Sequence, residues 1–172
     1  GRRCTIGPYA HLRRGVVVHD DARIGNFVEL VRTTIGHNVR IHHVSYLGDA
    51  TVEDEVNIGA GTITANFDGT AKLPTTIGKG AFIGCDTILV APVRVGSGAV
   101  TGAGSVILKG HDVPNRGVVV GVPAHPLEKD NLPAPRHVRD GQAARQAGGS
   151  PPARRPSALP KAKAKVTKHV KK

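Results

Sequence analysis

The sequence predicts an all-β protein, a parallel β-helix in the form of a triangular prism, followed by a basic tail with no core of its own. Three observations predict it. Aliphatic–Gly pairs recur at a spacing of six residues. Only 3% of residues are aromatic, with no Trp and no Met, while Gly accounts for 22 of 172. Charge divides along the chain: residues 1–128 hold 12 Lys/Arg against 11 Asp/Glu, and residues 129–172 hold 12 against 2. An aromatic-rich sandwich and a bundle of long Leu/Met helices are poor fits to this composition. No run of about 18 apolar residues exists, which excludes a transmembrane helix. No signal peptide is visible at the N-terminus. Two cysteines, Cys4 and Cys85, are too few for a disulfide framework, and a cytoplasmic location is expected.

The repeat carries the fold. Ile6-Gly7, Ile24-Gly25, Ile35-Gly36, Leu47-Gly48, Ile58-Gly59, Ile77-Gly78, Ile83-Gly84 and Val95-Gly96 each open a six-residue unit. Leu12, Val18, Leu30, Ile41, Val52, Leu89, Thr101 and Ile107 sit at comparable phases, with one-residue slips near Thr34 and Ala50. Neither the helical period of 3.6 nor the strand period of 2 explains this spacing. One inward aliphatic followed by Gly at a corner suits a short strand and a tight turn. Three units close one coil of about 18 residues, and coils stack about 4.8 Å apart through backbone hydrogen bonds. A prism needs a cap at each end. Gly1 falls in mid-pattern, so the chain reads as a piece of something longer.

One segment breaks the period. Asn66-Phe67-Asp68-Gly69-Thr70-Ala71-Lys72-Leu73-Pro74-Thr75 interrupts it before Ile77 resumes. It reads as a loop projecting from the prism, either a tolerated surface insertion or, by its polar, aromatic and Lys content, a lid over a neighbouring site. The prism is assigned to 1–127 and a disordered Pro/Ala/Lys-rich tail to 128–172, where large apolar residues are too few to offset the entropy of ordering. The tail is a solubilising extension or an electrostatic contact for nucleic acid or an acidic partner. No aromatic is interleaved in it, so base stacking is unsupported.

Specific motifs sharpen the repeat. His43-Val44-Ser45-Tyr46-Leu47-Gly48-Asp49-Ala50 is followed by Asn57-Ile58-Gly59-Ala60-Gly61-Thr62 and by Ile63-Thr64-Ala65-Asn66-Phe67-Asp68-Gly69. With Pro8-Tyr9-Ala10-His11-Leu12-Arg13, Gly25-Asn26-Phe27-Val28-Glu29 and Leu89-Val90-Ala91-Pro92-Val93, they span about residues 4–123. This stretch resembles the C-terminal acetyltransferase domain of the bifunctional glucosamine-1-phosphate acetyltransferase / N-acetylglucosamine-1-phosphate uridylyltransferase family, within the hexapeptide-repeat acyltransferase superfamily. The resemblance implies a left-handed β-helix that forms a homotrimer with sites between subunits, an exception to the usual crossover handedness. It implies transfer of acetyl from acetyl-CoA to the amine of glucosamine 1-phosphate, feeding UDP-N-acetylglucosamine synthesis. No nucleotide loop of the uridylyltransferase type is present in the sequence.

The resemblance also implies roles for residues. A sugar ammonium must lose a proton before it attacks a thioester, and a histidine suits that near neutral pH. His43 is the implied base. On spacing alone its neighbour His42 competes with it. Glu29 is the carboxylate that orients His43. Arg13, Tyr46, Asn57 and Lys72 contact the sugar phosphate. Ala60, Asn66, Phe67, Cys85 and Ala103 meet acetyl-CoA. Cys85 stands where the family often has Ser, and no adjacent base marks it as a nucleophile. Two positions depart from the family. Val31 replaces a phosphate-contacting Lys, with Arg32 beside it as a substitute, and Gly121 occupies the position of a late CoA-binding Arg. Three other readings remain open at this point: acetylation of another amino sugar, a non-catalytic trimer whose basic tail acts, and a metal enzyme using His19, His37, His42 and His43. No metal site is expected, because those histidines show no clustering on one face.

Overall fold

The structure, a computed structural model, describes residues 1–127. It is a parallel β-solenoid of about six coils. Among the described residues, 12 strands form a sheet that wraps two faces of the prism, and five form the third face. All pairings between strands are parallel except Val118–Val120 with His125–Pro126, which folds back over the last coil.

Each face has one inward residue per coil. The first face stacks Ile24, Ile41, Ile58, Ile83, Thr101 and Val119 in register. The second stacks Leu12 and Leu30 through Leu47, and Thr64 through Leu89 and Ile107. The third stacks Val18, Ile35, Val52, Ile77 and Val95. Ile24, Leu30, Ile35, Ile41, Leu47, Ile77, Ile83 and Leu89 are fully buried, so the aliphatic residue of each repeat is the core. The expected parallel β-helix is borne out.

The coil is shorter than 18 residues in two places. Inward residues follow one another by six, except for steps of five from Leu30 to Ile35 and from Leu47 to Val52. These are the two slips visible in the sequence. At the first, buried Thr33 donates its hydroxyl to the carbonyls of Val31 (3.0 Å) and Leu47 (2.9 Å). The hydroxyl thus ties two coils together at the shortened corner, where Val31 O also accepts from Asp49 N at 3.0 Å. The long step, Thr64 to Ile77, holds the loop, closed by Asn66 O accepting from Leu73 N at 2.7 Å and by an isolated bridge of Phe67 with Lys72.

The strands Arg23–Val31 and Arg40–Gly48 run unbroken round the first corner. They bend through left-handed residues, Phe27 (φ 58°) and Val44 (φ 39°). A β-branched residue at positive φ is strained. Val44 holds it because the corner is fixed on both sides: its carbonyl accepts from Gly61 N at 2.7 Å, and Ser45 next to it donates its hydroxyl to His43 O at 2.9 Å.

Candidate active site

The first corner gathers most of the expected site into one column. The residue two places after each inward aliphatic of the first face occupies the same corner position. In successive coils these are Asn26, His43, Ala60, Cys85, Ala103 and Gly121. His43 therefore heads a run of small residues. Their backbones are tightly coupled: Ala60 O accepts from Asp86 N at 2.7 Å, and Cys85 O accepts from Gly104 N at 2.8 Å. The glycine before each is required by packing. A Cβ on Gly59 would lie 2.5 Å from Cys85 N, and one on Gly84 would lie 2.7 Å from Ala103 N. The column is a shallow track in which a ligand can meet backbone.

Two grooves flank this corner. One of about 330 Å³ is lined by Pro8, Arg23, Gly25, Asn26, His42 and His43. Another of about 410 Å³ lies toward the second face, between Phe27, Glu29, Val44, Tyr46, Ile63 and Asp86. The imidazoles of His42 and His43 are edge-on, 6.0 Å between centroids, and both residues are exposed. Either ring can reach solvent or a ligand, but only His43 lies on the corner column. The side-chain Oδ1 of Asn26, the strand partner of His43, is buried and has no hydrogen-bond partner.

Glu29 and Arg13 find each other. Arg13 donates to Glu29 Oε1 at 2.9 Å, and Glu29 is in register with Tyr46, three residues past the Asn26–His43 pair. No hydrogen bond joins Glu29 to His43 among the described residues, so its orienting role has no direct contact within this chain.

Beyond the second face, a cluster holds the loop. Arg32 donates twice to Asp49, at 2.6 and 2.8 Å, and Asn66 donates its amide to the same carboxylate. Asp49 is mostly buried, with 17% of its side chain exposed. The Arg32 hydrogen bonds hold its carboxyl below the usual carboxylate range, burial opposes them, and the Asn66 bond and the charge of Lys72 add to the lowering. A Cβ on Gly48 would strike the Asn66 amide and the Tyr46 hydroxyl, at 2.5 and 2.6 Å, so the absent side chain lets Tyr46 and Asn66 converge. Lys72 lies over the Phe67 ring, 4.1 Å from its centroid, and Phe67 is 55% exposed.

Several expected residues thus sit together: Tyr46, Asn66, Phe67 and Lys72 around the loop, and His43, Ala60, Cys85 and Ala103 along the column. Asn57 lies on the first face, in register with Arg40. Arg32, weighed as a substitute for the missing cation at Val31, is held by Asp49, and Val31 is buried. The Arg32–Asp49–Asn66 clamp was not anticipated. The nearest sequence signal was Asp49 inside the motif His43–Ala50, with Arg32 and Asn66 singled out separately. The four histidines form two pairs at different corners: His19 and His37, 5.0 Å apart, on the third face's corner, and His42 and His43 on the first.

A parallel six-residue solenoid is the architecture of the hexapeptide-repeat proteins, and residues 1–32 and 74–109 match the family described as Bacterial transferase hexapeptide (six repeats). The chain is also similar to the bifunctional protein GlmU, as its motifs suggested. It is 56% identical over 109 residues to GlmU of Pseudoalteromonas atlantica, covering 63% of this chain and 24% of that protein. To GlmU of Lawsonia intracellularis it is 54% identical over 118 residues, covering 69% and 25%. The chain thus spans about a quarter of the length of the curated relatives it matches. Its fold is shared with GDP-perosamine N-acetyl transferase from Caulobacter crescentus, solved with CoA and GDP-perosamine (TM-score 0.63, 19% identity, 72% of this chain and 57% of that one). It is also shared with the acetyltransferase domain of PglB from Neisseria gonorrhoeae, solved with acetyl coenzyme A (TM-score 0.62, 24% identity, 70% and 55%).

Proposed function

We propose that the chain transfers acetyl from acetyl-CoA to the amine of glucosamine 1-phosphate, with His43 as general base. The observation that carries this reading is the corner column: an exposed histidine followed by Ala60, Cys85 and Ala103, whose small side chains leave the backbone open along a line. An extended donor laid on that track brings its thioester to His43. The imidazole takes a proton from the sugar ammonium. The freed amine attacks the thioester carbonyl, the new C–N bond forms, the nitrogen sheds its second extra proton to solvent, the C–S bond breaks, and the imidazolium returns its proton to the departing sulfur. Relatives named GlmU and fold neighbours solved with CoA or acetyl-CoA support the donor.

Tyr46 and Asn57 contact the sugar in this reading. Arg13 holds its phosphate as a guanidinium already oriented by Glu29, and Lys72 approaches from the loop. Asn66 and Phe67 complete the donor site from the same loop. Glu29 acts on His43 through a neighbouring copy or through substrate. The chain works as a homotrimer: Tyr9, Phe27 and Val44, exposed by 67%, 63% and 57%, form an apolar ridge beside His43 that a second copy would cover. The expected cytoplasmic location goes with this reading; no helix among the described residues is long and apolar enough to cross a membrane.

The test is free-thiol release from acetyl-CoA by the purified chain with glucosamine 1-phosphate. Release that falls at least 100-fold in His43→Ala, on the usual order for a lost general base, supports it. No release from a folded trimer overturns the acceptor. A second reading, acetylation of another amino sugar, is favoured by Val31, a buried aliphatic where the family places a cation. A panel of amino sugars in the same assay separates the two.

A further inference from the structure

Two imidazoles share the groove at the first corner, and acetyl transfer by His43 alone uses one of them. His42 precedes His43 on the strand Arg40–Gly48. Ile41 is buried, so its neighbours Arg40 and His42 face outward by the two-residue alternation of a strand. The chain then turns at Val44, and the rings of His42 and His43 meet edge-on, 6.0 Å between centroids. Both line the groove of about 330 Å³, together with Arg23 and Asn26, and no carboxylate lines it. Neither ring forms an ion pair or a hydrogen bond among the described residues. The position of His42 is set by its backbone. A Cβ on Gly25, in the preceding coil, would strike His42 O, so the glycine lets the two coils close there.

The chemistry calls for a second proton acceptor. The acceptor enters as an ammonium with three protons on nitrogen, and the amide product keeps one. His43 takes the first before attack. Addition to the thioester carbonyl makes the nitrogen positive again, and a positive nitrogen leaves more readily than the sulfur, which returns the adduct to reactants. The second proton must therefore go before the C–S bond breaks. His43 is by then an imidazolium and has no site for it. The residues assigned to the phosphate lie on the other side of the corner: Arg13 follows the second-face strand His11–Leu12, and Lys72 is on the loop. The first-face side of the reacting nitrogen is left to His42.

We propose that His42 is a second catalytic base, which takes the second proton from the nitrogen of the adduct and passes it to solvent. The assignment rests on the acetyl-transfer reading. In this step the N–H electron pair stays on nitrogen as an imidazole nitrogen of His42 gains the proton. The adduct then collapses, the C–S bond breaks, and His43 returns its own proton to sulfur. His42 loses its proton to water and is neutral for the next turnover, so one proton is released for each acetyl group moved.

The test compares the whole chain with His42→Gln, whose amide is polar but takes no proton. Thiol release from acetyl-CoA with glucosamine 1-phosphate is followed at fixed pH and ionic strength while imidazole is raised as an external base. In dilute buffer the variant's kcat should fall about tenfold or more, with both KM values held. Added imidazole should restore it toward the parent rate, while the parent chain does not respond. A variant with the parent's kcat in dilute buffer overturns the proposal. So does a loss that imidazole leaves unchanged, or one that appears in KM, since either marks a structural or binding role. If the parent chain releases no thiol with glucosamine 1-phosphate but does so with another amino sugar, the acceptor is wrong, and the same comparison on that sugar decides His42. A parent chain that acetylates no amine overturns both.

Discussion

Asp49 is the residue on which two parts of the molecule depend. It joins Arg32, at the end of the second face, to Asn66, at the root of the loop. Its carboxyl titrates below its ordinary value, about 3.9 in an unfolded chain. A depressed value in the fold means that the ionised form contributes stability above that ordinary value, and that the contribution disappears as pH falls through the folded one. Asp49→Asn should therefore cost about 0.5–1.5 kcal/mol at pH 7, the Arg32 bonds being exposed to solvent and partly screened. The gap to the parent chain should close in strong acid. Urea unfolding followed from pH 7 down to the lowest pH at which the parent chain stays folded checks this, and a gap that stays constant over the whole range would show that the charge does not matter. None of the clamp was legible from spacing: Arg32, Asp49 and Asn66 are 17 residues apart in succession, and only the coil closure brings them together. His43 was legible as a candidate, but its separation from His42 needed the family motif. The corner column now gives a geometric reason for the choice.

At the scale of the element, the repeat is almost the whole fold. Each coil places three inward residues, one per face, in register with their equivalents above and below, and further buried residues such as Val28 and Val39 add to the core. Leu47 is fully buried between Leu30 and Thr64. Leu47→Ala should lower stability by about 2–5 kcal/mol, since a stack of parallel strands cannot collapse into the space. Thr64 is a polar residue in an aliphatic row, and its hydroxyl accepts from Gly48 N at 2.8 Å and donates to Gly48 O at 3.1 Å. Thr64→Val should cost about 1–3 kcal/mol despite its similar shape, by leaving a buried N–H without a partner. Both are read from urea midpoints at one fixed protein concentration. The period was legible because it is neither helical nor simple alternation. The five-residue steps were legible as slips, but not what sits at the first of them, the Thr33 hydroxyl against carbonyls of two coils.

For the whole molecule, composition gave the division of charge and the repeat gave the prism, while the basic segment 128–172 lies outside the described residues. The expectation of contact with nucleic acid falls there too. What the solenoid adds is alignment. Residues scattered from 26 to 121 become one straight edge, with His43 near one end and open backbone beyond it. Stacking makes such a line automatic, because every coil repeats the same corner. The central claim is that this edge seats the acyl donor, and a side chain placed on it tests that directly. Ala103 is exposed, two coils below Ala60, so a larger residue there need not disturb the core. Acetyl-CoA binding to the parent chain and to Ala103→Phe, measured by isothermal titration, should differ by about tenfold or more if the donor lies on the track. Equal affinity in the two proteins would contradict the account.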